Sequence, residues 1–547
     1  MPKLLNLVQI VLLSAGVAFC QTLFRLPEDA DTYFVMNLGR YVMEQGFPHV
    51  DPFTIHEGLQ LVAQQWLSGV LFWEVYQTLG FDGLRLTDAL LGAATVFIHW
   101  RLCLYVSGGN KTLSFALSFV VSLLVTPAIV PRPQLFSTPL LLIEVFLLEK
   151  FTRTENFKWL LPLPLIGVAV ANLHAAVWLL TLVLCLPFLF VRSVRHGKFL
   201  LAAMAGLVIG GLINPYGVDA LTYVFRSYGI DAINNNIAEM FTPTAHNLRG
   251  KCFYLTAAIL IATLARIKVP RRYVLLSGGL MFMAVMHVRN QALFYFMATF
   301  PLAYAWRDFQ LEKIFSRSAD ADYKNRGLLT LAFFLLTFVN TAVATTLLNE
   351  KLDRLTVPLG VLLAVALGVA AYNLLIHKFE GRLLHPAILP RKVCSLAATA
   401  FIICGVMFAT LDNRAKESDD TFAKAIGFLL RDERPENIKL YVGQGYGGLA
   451  GMMGVKYYID SRSEVFLPAN NGQKNILQEY LDFTRGRIYY TDFFARYDFT
   501  HIIATSKDAV IYNALSRDKN FRVIYESERV EGSEVIPCKV FVPKNEE

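Results

Sequence analysis

Residues 25–40 read RLPEDADTYFVMNLGR, from Arg25 to Arg40. The stretch places three carboxylates, Glu28, Asp29 and Asp31, directly after a first apolar segment over residues 4–24. About 20 apolar residues cross a bilayer as a helix. Carboxylates at the end of such a segment stand at a membrane surface, where ionisable groups are costly and usually have a task.

Outward from this stretch the chain remains apolar. Of 547 residues, 55% are hydrophobic, 17% charged and 13% aromatic. Mean hydropathy is +0.44. A soluble domain carries about a quarter charged residues. Candidate spans fall at 4–24, 86–106, 112–130, 134–149, 159–173, 175–191, 199–213, 252–265, 273–288, 291–306, 327–348, 356–376 and 393–411. The expected fold is therefore a polytopic α-helical membrane protein of about 13 transmembrane helices. The apolar start after Lys3 resembles a signal peptide. It lacks an A-x-A site, and Phe19 before Cys20 is too large for a lipoprotein signal, so it reads as an uncleaved first span.

The net charge of +8 follows topology, not nucleic acid. Lys and Arg concentrate in alternate short loops, as in Arg266, Lys268, Arg271 and Arg272, and in Lys378, Arg382, Arg391 and Lys392. Cations in short loops face the cytoplasm. The pattern predicts a cytoplasmic N-terminus, in a multi-pass protein of the cytoplasmic membrane. The seven cysteines show no C-x-x-C pair, and most lie in or beside apolar segments as small core residues.

The texture changes at about Asp412. KLYV, KYYID, THIIAT, FRVIYE and CKVFVP read as strands, with helical stretches near 421–431, 471–484 and 507–516. The expected organisation is a membrane domain over 1–411, with a first external loop at 25–85, and an extracytoplasmic α/β domain over 412–547. Gly443, Gly445 and Gly448 form G-x-G-x-x-G after a strand. The following helix would be very short, and Asp460 comes too early for a ribose contact. A tight turn is the better reading.

This topology collects polar residues at one face. The first external loop carries Glu28, Asp29, Asp31, Arg40, His49, Asp51, His56 and Glu57, then runs into AQQWLSGVLFWEVYQTLG, which includes Gln65. That segment reads as a helix lying along the membrane surface. Later outer turns bring Arg132 and Gln134, Asn172 and His174, Asn214 with Glu239 and His246, and His287, Arg289 and Asn290. Such a set suits a lipid-borne anionic substrate: a carboxylate accepts an acceptor proton, and an arginine holds a phosphate in two bonds. Each residue also has a structural reading. Asp29 and Asp31 suit helix caps, His174 a packing role, Arg132 and Arg289 snorkelling anchors, and Glu239 a solvated loop. Arg40, His49, His56 and Glu57 read as surface residues.

The motifs, in order, resemble an integral-membrane glycosyltransferase of the GT-C type. More narrowly, they resemble a bacterial group related to protein mannosyltransferases and lipid-A sugar transferases. The resemblance rests on DTYFVMNLGRYVMEQGFPHVDPFT, QQWLSGVLFWEVYQTLG, RPQLFS, NLH, NPYG, HVRNQALFYF and GLAGMMGVKYYIDSRSEVF. It implies transfer of a sugar from a polyprenyl-phosphate donor to a lipid, glycan or protein acceptor at the outer face. Asp31 first and Asp29 second would be the general base. Arg132, Gln134, His174, Asn214, Glu239, Arg289 and Gln65 would bind substrate. No tightly bound metal is expected, although Asp29, Asp31 and Glu239 offer oxygen ligands for a divalent ion.

Val35, Gln64 and Gln65 depart from the group, which often carries histidine at the first position and His-Glu at the other two. The departures keep open a non-catalytic scaffold of a cell-envelope glycan complex. A lipid-linked glycan transporter should show internal repeats. None is evident, and the polar residues gather at one face.

Overall fold

The computed structural model describes residues 30–125, 128–189, 193–227, 230–308, 418–505, 508–527 and 537–544. Glu28, Asp29, the first candidate span and the last three candidate spans lie outside the described residues.

The helical part begins with α1 (Ala30–Gln45) and α2 (Trp66–Val106). It continues through α3 (Lys111–Leu124), α4 (Gln134–Thr154), α5 (Leu163–Leu173), α6 (Trp178–Cys185) and α7 (Val194–Gly211). After α8 (Val218–Ser227) come α9 (Leu248–Arg266), α10 (Arg271–Met286) and α11 (Gln291–Ala305). Side chains cap several starts: Ser193 accepts from the His196 N–H, and Asn247 from the Gly250 N–H. Two described helices, Trp66–Val106 and Leu248–Arg266, are by themselves long and apolar enough to cross a membrane. Large apolar side chains nevertheless face outward on many helices, among them Leu165 (70% exposed), Ile209, Leu255 and Phe282 (68%). Water does not tolerate so extended an apolar girdle, whereas lipid does.

The segment read as a surface helix and the span after it are one helix, α2, broken at Gly80. There φ is 64° and ψ −158°, a conformation open only to glycine. The break redirects the chain between the two halves. Before it, α1 crosses α2 at Gly39 and Gly69. A Cβ on Gly39 would lie 2.1 Å from the Gly69 carbonyl, so only glycine permits this backbone approach.

At another point of the bundle, α2, α4 and α10 are tied through Glu149. Its carboxylate accepts from Arg153 Nε (2.8 Å), Arg272 Nε (2.8 Å) and the Tyr273 hydroxyl (2.7 Å). Arg153 also donates to the Tyr105 carbonyl of α2 at 2.9 Å. Arg272 belongs to the basic run whose charge pattern predicts a cytoplasmic position.

The remaining described residues build a five-stranded sheet. After α12 (Ser418–Asp432) come β1 (Lys439–Tyr441), α13 (Gly447–Met452), β2 (Lys456–Tyr457) and α14 (Ile476–Thr484). They are followed by α15 (Tyr490–Tyr497), β3 (His501–Thr505), α16 (Ala509–Arg517), β4 (Phe521–Glu526) and β5 (Cys538–Pro543). The order is β2-β1-β3-β5-β4. β1 pairs parallel with β2 and β3, and β5 pairs antiparallel with β3 and β4. All five lie in segments that read as strands. β3 is buried at every residue, as a central strand covered on both faces should be. Tyr441, Tyr458, Phe483, Phe493, Phe494 and Phe499 form an aromatic core, with Phe483 stacked on Phe493 at 4.0 Å between ring centroids.

The G-x-G-x-x-G segment is a turn followed by the six-residue α13. Of its three glycines, Gly448 packs against α1, as described below. Nothing about it resembles a phosphate cradle.

Candidate functional site

The site starts at the first turn of α1. Asp31 lies there, where the helix dipole favours a negative charge. Beside it, Thr32 donates to the Pro131 carbonyl at 3.2 Å, which fixes α1 against the turn before α4. That turn carries Arg132. Its Nη1 stands 3.1 Å from Asp31 Oδ2 and 2.7 Å from Glu239 Oε1. One guanidinium thus joins two carboxylates from segments 208 residues apart.

Glu239 occupies a short turn at Ala238–Met240. This turn is held to the turn before α11: His287 Nδ1 contacts the Met240 carbonyl at 2.7 Å, and the Val288 N–H donates to Phe241 at 3.0 Å. Burial opposes ionisation of Glu239, but Arg132, Arg289 and Arg249 together hold its carboxyl below the usual range. It is exposed, as a solvated loop carboxylate would be, but it is also paired with Arg132. Arg289 lies near Met240, its Nη1 3.6 Å from the sulfur. Arg249 donates to Gln291 Oε1 at 3.1 Å.

His174 is buried between α5 and α6 and pairs with Ser137 Oγ at 2.9 Å. It lies within electrostatic reach of Arg289. Gln134 opens α4 and lines a groove between α2, α4 and α11 with Thr95, Val96, Ile129, Leu135 and Phe296. The space it leaves is about 30 Å³, room for about one water. It is largely apolar.

Other candidates stand apart from this set. Asn214 donates to the Gly211 and Gly217 carbonyls and accepts from the Tyr216 N–H, so its polar atoms stabilise its own turn. Asn172 bonds Trp66 Nε1 and the Ile213 carbonyl, joining three segments. Gln65 precedes α2 without a side-chain cap. Gln64 spans to the Ala220 carbonyl at 3.5 Å, and Val35 is fully buried in α1. Asp29 lies outside the described residues.

Two surface readings are corrected. Arg40 is half-buried and donates to the Met452 and Gly451 carbonyls. His56 is buried against Tyr458 and Tyr497, and bonds the Tyr458 carbonyl at 2.9 Å.

The sequence reading missed Arg249 and Arg462. Arg249 is a cation at the start of a candidate span on the face expected to be outside, against the inside bias, and that signal could have found it. Arg462 sits in a short polar loop, and nothing local marks it as buried. Among the described residues, no three His, Cys, Asp or Glu side chains are grouped so as to hold a metal ion.

No family model matches the chain, and no curated protein matches it. Solved structures do. ArnT from Cupriavidus metallidurans bound to undecaprenyl phosphate aligns over 98% of this chain and 97% of its own, with TM-score 0.51 and 12% identity. The apo state of the same protein aligns over the same shares, with TM-score 0.53 and 12% identity. At this identity the likeness is one of fold: the chain shares the fold of ArnT over nearly its whole length.

Proposed function

We propose that the protein transfers a sugar from a polyprenyl-phosphate donor to an acceptor at the outer face of the cytoplasmic membrane. The observation that carries this reading is the Asp31–Arg132–Glu239 junction beside an apolar groove. It occurs in a fold shared with a protein bound to undecaprenyl phosphate.

In this mechanism the helices beside Phe296 and Ile129 part at this groove to admit the isoprenoid tail. Arg132, Arg249 and Arg289 face the donor phosphate. An acceptor hydroxyl attacks the anomeric carbon as its proton passes to Asp31. The bond between that carbon and the phosphate oxygen breaks, and its electron pair stays on the phosphate. The arginines stabilise the growing charge. Displacement from the opposite face inverts the anomeric configuration. Charge stabilisation rests on arginine here, so chelators should leave turnover unchanged.

The test uses purified protein, radiolabelled polyprenyl-phosphate sugars and membrane-lipid acceptors. Transfer by the parent and its loss in Asp31→Asn, by about 100-fold or more, are expected. Equal transfer by Asp31→Asn removes the base assignment. A second reading, a non-catalytic scaffold, draws on the buried Val35 and the structural bond of Gln64. A parent that binds undecaprenyl phosphate but consumes no donor would favour it.

A further inference from the structure

In sheets with parallel strands, ligands gather at the carboxyl ends, where the strand order reverses. Here the chain steps from β1 to β2 and then back across β1 to β3. The loop that leaves β1 at this point leads into α13. What α13 meets is the protein's own α1. A Cβ on Gly448 would stand 2.7 Å from the Ala30 carbonyl oxygen and 3.1 Å from the Phe34 nitrogen. One on Gly451 would stand 2.8 Å from Asn37 Nδ2. Arg40 completes the seam by capping the far end of α13, with bonds of 3.0 Å to Met452 and 3.1 Å to Gly451.

A second tie is ionic. Arg462 is almost fully buried. It pairs with Asp51 of the first loop at 2.6 Å and with Asp460 at 2.7 Å. Its guanidinium lies 4.4 Å from the Phe34 ring centroid, one helical turn beyond Asp31. Buried ion pairs are weak sources of stability, but breaking one is severe. A third tie is a rung of sheet: the Ile55 N–H donates to the Tyr457 carbonyl at 2.9 Å, and Thr54 pairs alongside Tyr457. A fourth is apolar, because Ile233 and Met240 join the core of the sheet domain. Met240 adjoins Glu239. The domain also approaches the site directly, since burial and the nearby Asp31 charge hold the Glu464 carboxyl above its usual range.

We infer that the C-terminal domain is a positioning frame, which holds Asp31 and Glu239 on either side of Arg132 through Gly448, the Arg462–Asp51 pair and Met240. Gly448 and Arg462 are positioning residues, not catalytic ones. The inference rests on the reading of Asp31 as the base.

The test compares the full-length parent with Gly448→Ala and Asp51→Asn. Three quantities are read: turnover and KM for donor, undecaprenyl phosphate affinity, and maleimide labelling of Ala30→Cys by peptide mass spectrometry. Displacement of a reacting group by 1 Å can cost about 100-fold in rate. Turnover should fall at least about tenfold with KM nearly unchanged. Undecaprenyl phosphate affinity should stay within about twofold, because the groove is untouched, and labelling at residue 30 should rise severalfold. If one variant fails to fold, the other decides. Parent-like turnover and labelling in a folded variant overturn the frame. A parent that transfers no sugar defeats the transferase reading alone, since labelling still reports whether the frame holds α1.

Discussion

Arg132 is the residue on which the site turns. With Asp31 and Glu239 both in contact, its charge is already shared before any substrate arrives. Glu239 therefore competes with an incoming phosphate. Its side chain is about half exposed, so the competition is modest. Glu239→Gln should tighten undecaprenyl phosphate binding by about two- to fivefold in a fluorescence titration. Arg132→Lys should weaken it, because an ammonium cannot span two oxygens in one plane.

His56 makes a separate prediction. Burial lowers its pKa to about 4, whereas an unfolded imidazole titrates near 6.5. The native state stays neutral while the unfolded state takes up a proton. The stabilisation is complete above pH 6.5 and is lost as pH falls toward 4. His56→Phe should remove up to about 3 kcal/mol of that acid sensitivity, seen as a flatter dependence of Tm on pH.

At the scale of the element, α2 shows how one residue type can join two functions. The apolar run around Trp66 and the span after Leu86 are legible from composition. Their junction is not, because Gly80 looks like any loop glycine. Its φ of 64° makes the position specific. Gly80→Ala should cost about 1–3 kcal/mol, measured by thermal unfolding in detergent.

The Glu149 junction binds α2, α4 and α10 with two arginines and a tyrosine. Glu149→Ala would strand Arg272 and Arg153, with an expected loss of about 3–5 kcal/mol in the same measurement. The strands were legible for a simple reason: KLY, HIIAT and FRVIYE alternate or bury β-branched and aromatic side chains. α13 was not, because GGLAGM has neither helical length nor polarity. Gly448 makes sense only against a partner helix more than 400 residues earlier, and no local pattern encodes that.

For the whole molecule, the helical bundle and the sheet domain do not form separate machines. The clustered polar residues were legible because ionisable groups are rare at the ends of apolar spans. Asp31, Arg132, Glu239, His174 and Arg289 do form a connected series. Asn214 instead serves its turn, as the N-P-Y-G geometry requires. What the sequence hid was long-range pairing, above all Asp51 with Arg462.

That pairing has a consequence in time. Asp51 precedes its partner by 411 residues. At about 5–20 residues per second, the ribosome delivers Arg462 roughly 20–80 s after Asp51. For that interval α1 has already left the ribosome, while the surface that will receive it does not yet exist. The nascent chain must keep Asp51 and the glycine-facing side of α1 from rival contacts until its last quarter is made. A ribosome stalled before residue 462 would therefore hold the helical bundle with Asp51 still lacking its partner.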